Sequence, residues 1–200
     1  MTYVTNNVVI EGLVLSLSDS DPVIRYEAAN ALVQLGSEVA LLLTGYLDID
    51  GVNKRALINT LGLINNPLAT EKILRYLEDE DEGMRASTLI ALSLIERSNA
   101  VPYLVKSLND VSSIVKQDAA GCLHDVGDSR AVEPLNLALN NPDVEFRFNV
   151  VYALSAVGDI SSMLPLKIII ENDSAVTESG HTLKEAARYA VKEIQRRRTG

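Results

Sequence analysis

Apolar and polar positions follow a helical period through most of this chain. In SDSDPVIRYEAANALVQLG, residues 18–36, an acidic turn leads into an Ala- and Leu-rich run. Positions 24, 28, 32 and 35 of that run share one face at about 100° per residue. A shorter apolar stretch, VVIEGLVLSL at residues 8–17, comes just before it. The pattern predicts two helices joined by the acidic turn. Asp side chains in such a turn can accept hydrogen bonds from the unpaired N–H groups that open the second helix.

The same pattern returns along the chain. Basic residues stand at Arg25, Lys54, Arg85, Lys116 and Arg147, in steps of 29, 31, 31 and 31, and Lys184 follows after a step of 37. Six positions before the first five marks are Asp19, Asp48, Asp79, Asp110 and Asn141; four before are Asp21, Asp50, Asp81, Ser112 and Asp143. Seven after each mark is a leucine: Leu32, Leu61, Leu92, Leu123 and Leu154. Only 18 of the 200 residues are basic, so a column this regular is a repeat and not an accident. The units close on Gly36, Asn65, Gly127 or Gly158, residue types suited to a left-handed helix terminus. One helix pair cannot bury its apolar face alone, so the pairs must stack. The expected architecture is all-α: a right-handed α-solenoid of helical hairpins, five clear repeats plus a divergent C-terminal one, in a single domain over residues 1–200. The long step before Lys184 places an insertion at residues 171–181, expected as a mobile loop.

Composition narrows the partners. The net charge is −9, with 27 acidic residues, so the chain as a whole repels phosphate backbones, and no nucleic-acid partner is expected. Cys122 is the one cysteine, which rules out an internal disulfide. The start, MTYVTNNVVIEG, lacks the features of a signal peptide, and the most apolar runs fall short of the ~20 residues of a membrane span. The expectation is a cytoplasmic protein without a membrane span. Two histidines and one cysteine give no basis for a zinc site, and none of the usual phosphate-loop, dinucleotide or serine-nucleophile motifs occurs.

The stretches DSDPVIRYEAANALVQLG, DEDEGMRASTLIALSLIE, NDVSSIVKQDAAGCLHDVGDSRAVEPL and NNPDVEFRFNVVYALSAVGD resemble HEAT repeats, in the short form named after phycobilisome lyases. The resemblance covers nearly the whole chain and is specific for fold. In size and repeat type the chain also resembles the smaller, F-type subunits of the heterodimeric E/F-type bilin lyases. That likeness implies a lyase subunit that, with an E-type partner subunit, helps attach phycocyanobilin to a cysteine of the phycocyanin α-subunit. Phycocyanobilin would be a substrate, with no further cofactor, in a cyanobacterial-type cell near the phycobilisome or thylakoid surface. The competing expectation is a non-enzymatic adaptor acting on phycobiliproteins, for example in phycobilisome degradation.

The repeated Asp and Arg/Lys columns are expected to be structural, each cation bonding an Asp of its own or a neighbouring turn. Functional residues should instead break the repeat and face solvent, on the side that lines the concave surface in such solenoids. Ile90, Leu94 and Phe148 are expected there as partner contacts. His124 falls at an outward position beside Asp125, where an imidazole can move a proton near neutral pH. The resemblance makes His124 and Asp125 catalytic candidates, and Arg55, Asp118, Tyr152 and Arg188 ligand contacts. Arg55 and Arg188 would take the bilin propionates, and Asp118 or Asp125 the pyrrole N–H groups. Cys122 replaces an alanine of the repeat and is expected in the core.

Overall fold

The computed structural model describes residues 2–199. Twelve α-helices are present among the described residues, and they pair into six hairpins: α1 (Thr2–Ser16) with α2 (Pro22–Leu35), α3 (Ala40–Tyr46) with α4 (Lys54–Ile64), α5 (Thr70–Leu74) with α6 (Glu82–Glu96), α7 (Val101–Ser107) with α8 (Ser113–Val126), α9 (Val132–Ala138) with α10 (Val144–Val157), and α11 (Met163–Asn172) with α12 (Leu183–Thr199). No strand forms among these residues; one isolated antiparallel bridge joins Val176 and Thr182. The chain divides into two compact units, one ending at Glu96 and the other starting at Arg97. Each holds three hairpins.

In the first unit α4 packs between α2 and α6; in the second, α10 packs between α8 and α12. The expected core face is the one that is buried. Ala28, Leu32, Leu61, Leu92, Leu123 and Leu154 are all inaccessible to solvent, or nearly so. Met84, Val115 and Phe146 occupy the register position of Ile24 and are buried, whereas Ile24 itself is 43% exposed and Leu35 44%. Cys122 lies in the core, as its alanine-like position implied.

Backbone groups at each hairpin corner find partners by a recurring scheme. Asp19 and Asp79 accept from the N–H two residues on, at 2.8 and 2.9 Å, and Asp110 and Asn141 do the same at 2.8 and 3.0 Å. Asp21, Asp81 and Asp143 accept from the N–H groups of Val23, Gly83 and Phe146, which open the second helices. The basic column is used in more than one way, and Arg147 makes an expected ion pair, with Asp173 at the following corner. Arg25 Nη1 donates to the carbonyls of Asp19 and Ser20 at 2.8 and 2.9 Å, and Arg85 Nη1 to those of Asp79 and Glu80 at 2.8 and 3.1 Å. These guanidinium groups thus satisfy carbonyls of their own turns. Lys116 instead places Nζ 5.3 Å from the centre of the Phe146 ring. The corner before α4 is held from the following hairpin: Arg75 donates to Asp48 at 2.6 Å, which lowers the Asp48 carboxyl pKa, and Tyr76 donates to the Leu47 carbonyl at 3.0 Å.

Gly36, Asn65 and Gly127 end their helices with φ of 72°, 56° and 70°. Gly158 does not; its φ is −57°. A Cβ there would lie 2.5 Å from the Leu154 carbonyl and 2.8 Å from Ile194, so close approach is what requires glycine. The stretch Pro22–Tyr46 has the length and hydropathy of a membrane span. The left-handed backbone at Gly36 divides it into helices of 14 and 7 residues, each too short for a ~30 Å hydrocarbon core.

The insertion, expected as a mobile loop, forms a hydrogen-bonded turn. Thr177 N–H donates to the His181 carbonyl at 2.8 Å, Gly180 N–H to the Thr177 carbonyl at 2.9 Å, and Leu183 N–H to the Ala175 carbonyl at 3.1 Å. Gly180, at φ 87°, turns the chain. Two residues of α10 hold it down. Arg147 pairs with Asp173 at 2.5 Å with both side chains only 17% exposed, and Glu145 accepts from the Glu178 N–H at 2.6 Å.

Gly62 of α4 sits against α6, where an added Cβ would come within 2.8 Å of the Ala91 Cα. Gly62→Ala should destabilise by about 1 kcal/mol, an overpacking cost of about 2 offset by a helix-propensity gain of about 1. Gly12→Ala, with nothing within 4 Å, should stabilise by about 0.5–1 kcal/mol. Urea midpoints of the two variants check the contrast. Asp173→Ala should cost about 3 kcal/mol by stranding Arg147; faster amide exchange at residues 174–182 is the local measurement.

Candidate functional site

Three elements of the second unit converge on an aromatic cluster. Phe148 and Tyr152 lie one turn apart on α10 and so share a face. Tyr189, on α12, is exposed, as is Tyr152. The inserted turn contributes His181, whose ring stacks on Phe148 with centroids 5.6 Å apart. The His181 N–H donates to Thr177 Oγ1 at 3.0 Å, and its Nδ1 lies 2.9 Å from Ser179 Oγ. These side chains, with Thr182, Glu185 and Ala186, line a mainly apolar cavity of about 180 Å³.

His124 joins the cluster from the last turn of α8. Its ring stacks on Tyr152, with centroids 4.1 Å apart and planes 11° from parallel. Its Nδ1 is 3.0 Å from the Asp125 carboxylate, which leaves Nε2 as the nitrogen with room to exchange a proton. The Gly127 N–H donates to the Leu123 carbonyl at 3.2 Å, which closes the helix just beyond this pair.

A second, polar cleft of about 340 Å³ adjoins the cavity, and Thr182 and Glu185 line both. Lys184 and Arg188 line the cleft from α12, opposite Glu171 and Asp173 at the end of α11. Thr182 and Glu185 also cap α12 reciprocally. The Thr182 hydroxyl donates to the Glu185 carboxylate at 2.9 Å, and the Glu185 N–H donates back at 3.2 Å. The shared wall is therefore rigid. An apolar, ring-lined pocket beside a polar cleft with two cations and three carboxylates can take a flat conjugated body, with acidic substituents at the cations.

The predicted site residues divide by position. His124, Asp125, Phe148 and Tyr152 are brought together, and Arg188 lies in the adjoining cleft. Asp118 is on α8, six residues before His124 and about 120° around the helix from it. It does not line the cavity. Burial raises its carboxyl pKa. Arg55, Ile90 and Leu94 belong to the other compact unit. Arg55 lies over Gly83 there and lines a cleft with Asp79 and Asp81, Ile90 is 41% exposed, and Leu94 is half-buried. His181, Thr182, Glu185 and Tyr189 were missed. The available signal was the break in the 31-residue period, which marks where the chain adds something to the plain repeat.

The HEAT-repeat family model matches residues 42–124 and again residues 101–184. This chain belongs to the HEAT-repeat family. Among curated proteins, conserved virulence factor C of Staphylococcus saprophyticus is 38% identical over 50 residues, which is 25% of this chain and 13% of that protein. Among solved structures, an engineered protein is similar over 94% of this HEAT-repeat chain and 96% of its own, with TM-score 0.61 and 19% identity. A designed armadillo repeat protein in complex with the peptide (KR)4 is similar over 92% and 99%, with TM-score 0.55 and 17% identity. The complex of CpcE and CpcF of phycocyanin lyase from Nostoc sp. PCC7120 gives TM-score 0.43 at 16% identity, over 92% and 94%. At these identities the structural likenesses concern the fold, a stack of helical repeats.

Asp118 generates a pH prediction. A carboxyl whose folded pKa is raised costs stability once it ionises. The penalty is absent in acid, grows as pH rises above the ordinary carboxylate range, and is complete above the folded pKa. Asp118→Asn should therefore raise Tm at pH 7, and the difference should vanish toward pH 3. Thermal melts across that range check it.

Proposed function

We propose that this HEAT-repeat chain is one subunit of a heterodimeric bilin lyase. It would bind phycocyanobilin and, with an E-type partner subunit, help attach it to a cysteine of the phycocyanin α-subunit. The observation that carries the reading is the aromatic cavity with a polar cleft beside it, in which Lys184 and Arg188 stand among Glu171, Asp173 and Glu185. A tetrapyrrole has the matching shape: a flat conjugated body and two propionates. The likeness of the repeats to those of phycobilisome lyases points the same way.

In this reading Phe148, Tyr152, His181 and Tyr189 hold an end of the bilin by stacking, and Arg188 and Lys184 take a propionate. Glu185 and Asp125 are the carboxylates within reach of pyrrole N–H groups. The acceptor protein supplies the thiol. Its sulfur forms a bond to the ethylidene side chain of the bilin, the carbon–carbon double bond becomes single, and the thiol proton ends on the neighbouring carbon. The addition is redox-neutral. His124, oriented by Asp125 and by its stack on Tyr152, is the group suited to carry that proton. The rest of the rate enhancement would come from orientation.

The test is a visible-absorbance titration with phycocyanobilin, of the chain alone and mixed with an E-type subunit, followed by the apo α-subunit of phycocyanin. A red-shifted, sharpened band that becomes covalently attached only with both subunits is the expected result. Phe148→Ala and Tyr152→Ala should each weaken bilin binding by about tenfold. His124→Ala should leave the band in place and slow attachment by about 100-fold. No spectral change under any combination, with the chain folded, would sink the lyase reading. Binding of the α-subunit without pigment would favour the adaptor.

A further inference from the structure

Charge is distributed unevenly in this chain. Helix α12 carries Lys184, Arg188, Lys192, Arg196, Arg197 and Arg198, six of the 18 basic residues, against only Glu185 and Glu193 of the 27 acidic ones. Its net charge is +4; the remaining 12 basic and 25 acidic residues sum to −13.

The cations are also ordered. Leu183, Ala187, Ala190 and Ile194 form the buried face of α12. Lys184, Arg188, Lys192 and Arg196 recur every four residues and therefore run as one stripe on the opposite face. Arg188, Lys192 and Arg196 are exposed. Arg197 has a separate task, donating to the carbonyls of Ser155 and Gly158 at 2.5 and 3.0 Å. Arg196 also pairs with Glu193 at 3.1 Å, with its side chain 76% exposed. An exposed helix face needs solubility, which mixed charges provide. Glu185 lies on the same face and Glu193 offsets Arg196, yet cations outnumber acids six to two on α12, the reverse of the chain as a whole, and solubility gives no reason for that reversal.

We propose that the exposed basic stripe of α12, flanked by Tyr189, is a docking surface for an acidic protein surface. Charge complementarity names the occupant. A polyphosphate or an anionic membrane would extend past the stripe and meet the net-negative remainder of the chain, which repels it. A protein presents a bounded acidic patch. Arg and Tyr are also residue types enriched where protein interfaces carry their energy. Tyr189 lines the aromatic cavity, so a protein held on this stripe stands at the mouth of the site. The identity of the partner rests on the reading above: it is the phycocyanin α-subunit, which must approach the bound bilin. The stripe would steer its encounter and hold its register.

The experiment measures binding of the apo α-subunit to the full chain in complex with its E-type subunit, at about 50 and about 300 mM salt. The variant is Lys192→Glu with Arg196→Glu, and Lys192→Arg with Arg196→Lys is the charge-preserving control. Wild type and control should bind alike and weaken at least about tenfold at the higher salt. The reversal should bind at least about tenfold more weakly at low salt and lose most of its salt dependence. Its circular dichroism and its bilin absorbance should be unchanged. Wild-type affinity in the folded reversal variant would overturn the proposal. So would salt-sensitive binding to single-stranded DNA or to phosphatidylglycerol vesicles that the reversal abolishes. A bilin band without stripe-dependent docking removes this inference and leaves pigment binding standing. Stripe-dependent docking without a bilin band removes the lyase reading and leaves this one.

Discussion

Every hairpin corner in this protein must find partners for backbone groups that two helices leave unpaired. The solution separates the two kinds of group. Carboxylates of the turn accept from N–H groups, and at the corners before α2 and α6 a guanidinium one turn into the second helix donates to the turn carbonyls. Arg25 and Arg85 do this at equivalent positions with nearly equal distances. With the corner fixed, the angle between paired helices is fixed as well, and their leucine faces can stack on the neighbouring pair. The spacing of the repeat follows from this local requirement as much as from the core.

That division of labour explains what the sequence disclosed and what it hid. Helix pairs, core leucines and capping aspartates were legible because each follows from a local period or a residue type. The carbonyl partners of Arg25 and Arg85 were not, since an Asp and an Arg six residues apart suggest an ion pair. Only the turn geometry reveals that these guanidinium groups reach carbonyls of their own turns. Gly158 misled for a similar reason: glycine at a helix end usually answers to φ, and here it answers to the Leu154 carbonyl and Ile194.

The candidate site was legible in part. His124, Phe148 and Tyr152 could be placed by register, because they lie on the second helices at outward positions. His181 and Tyr189 could not, because the insertion suspends the register and its path is set by long-range contacts with Glu145 and Arg147. Asp118 shows the converse limit. A carboxylate near the right residues in sequence faced another side of its helix. Within the second unit, the plain repeat is scaffold, and the chemical variety gathers where it is interrupted.

Arg147 joins these two regimes. It occupies the basic column, yet its guanidinium engages Asp173 of the insertion, whereas Arg25 and Arg85 at the same register engage their own turns. A position that at Arg25 and Arg85 bonds carbonyls of its own turn here anchors the wall that carries His181. A change at residue 147 would therefore act on the pocket wall through Asp173. A repeat array can thus lend one register position from scaffold to pocket without moving it out of the period.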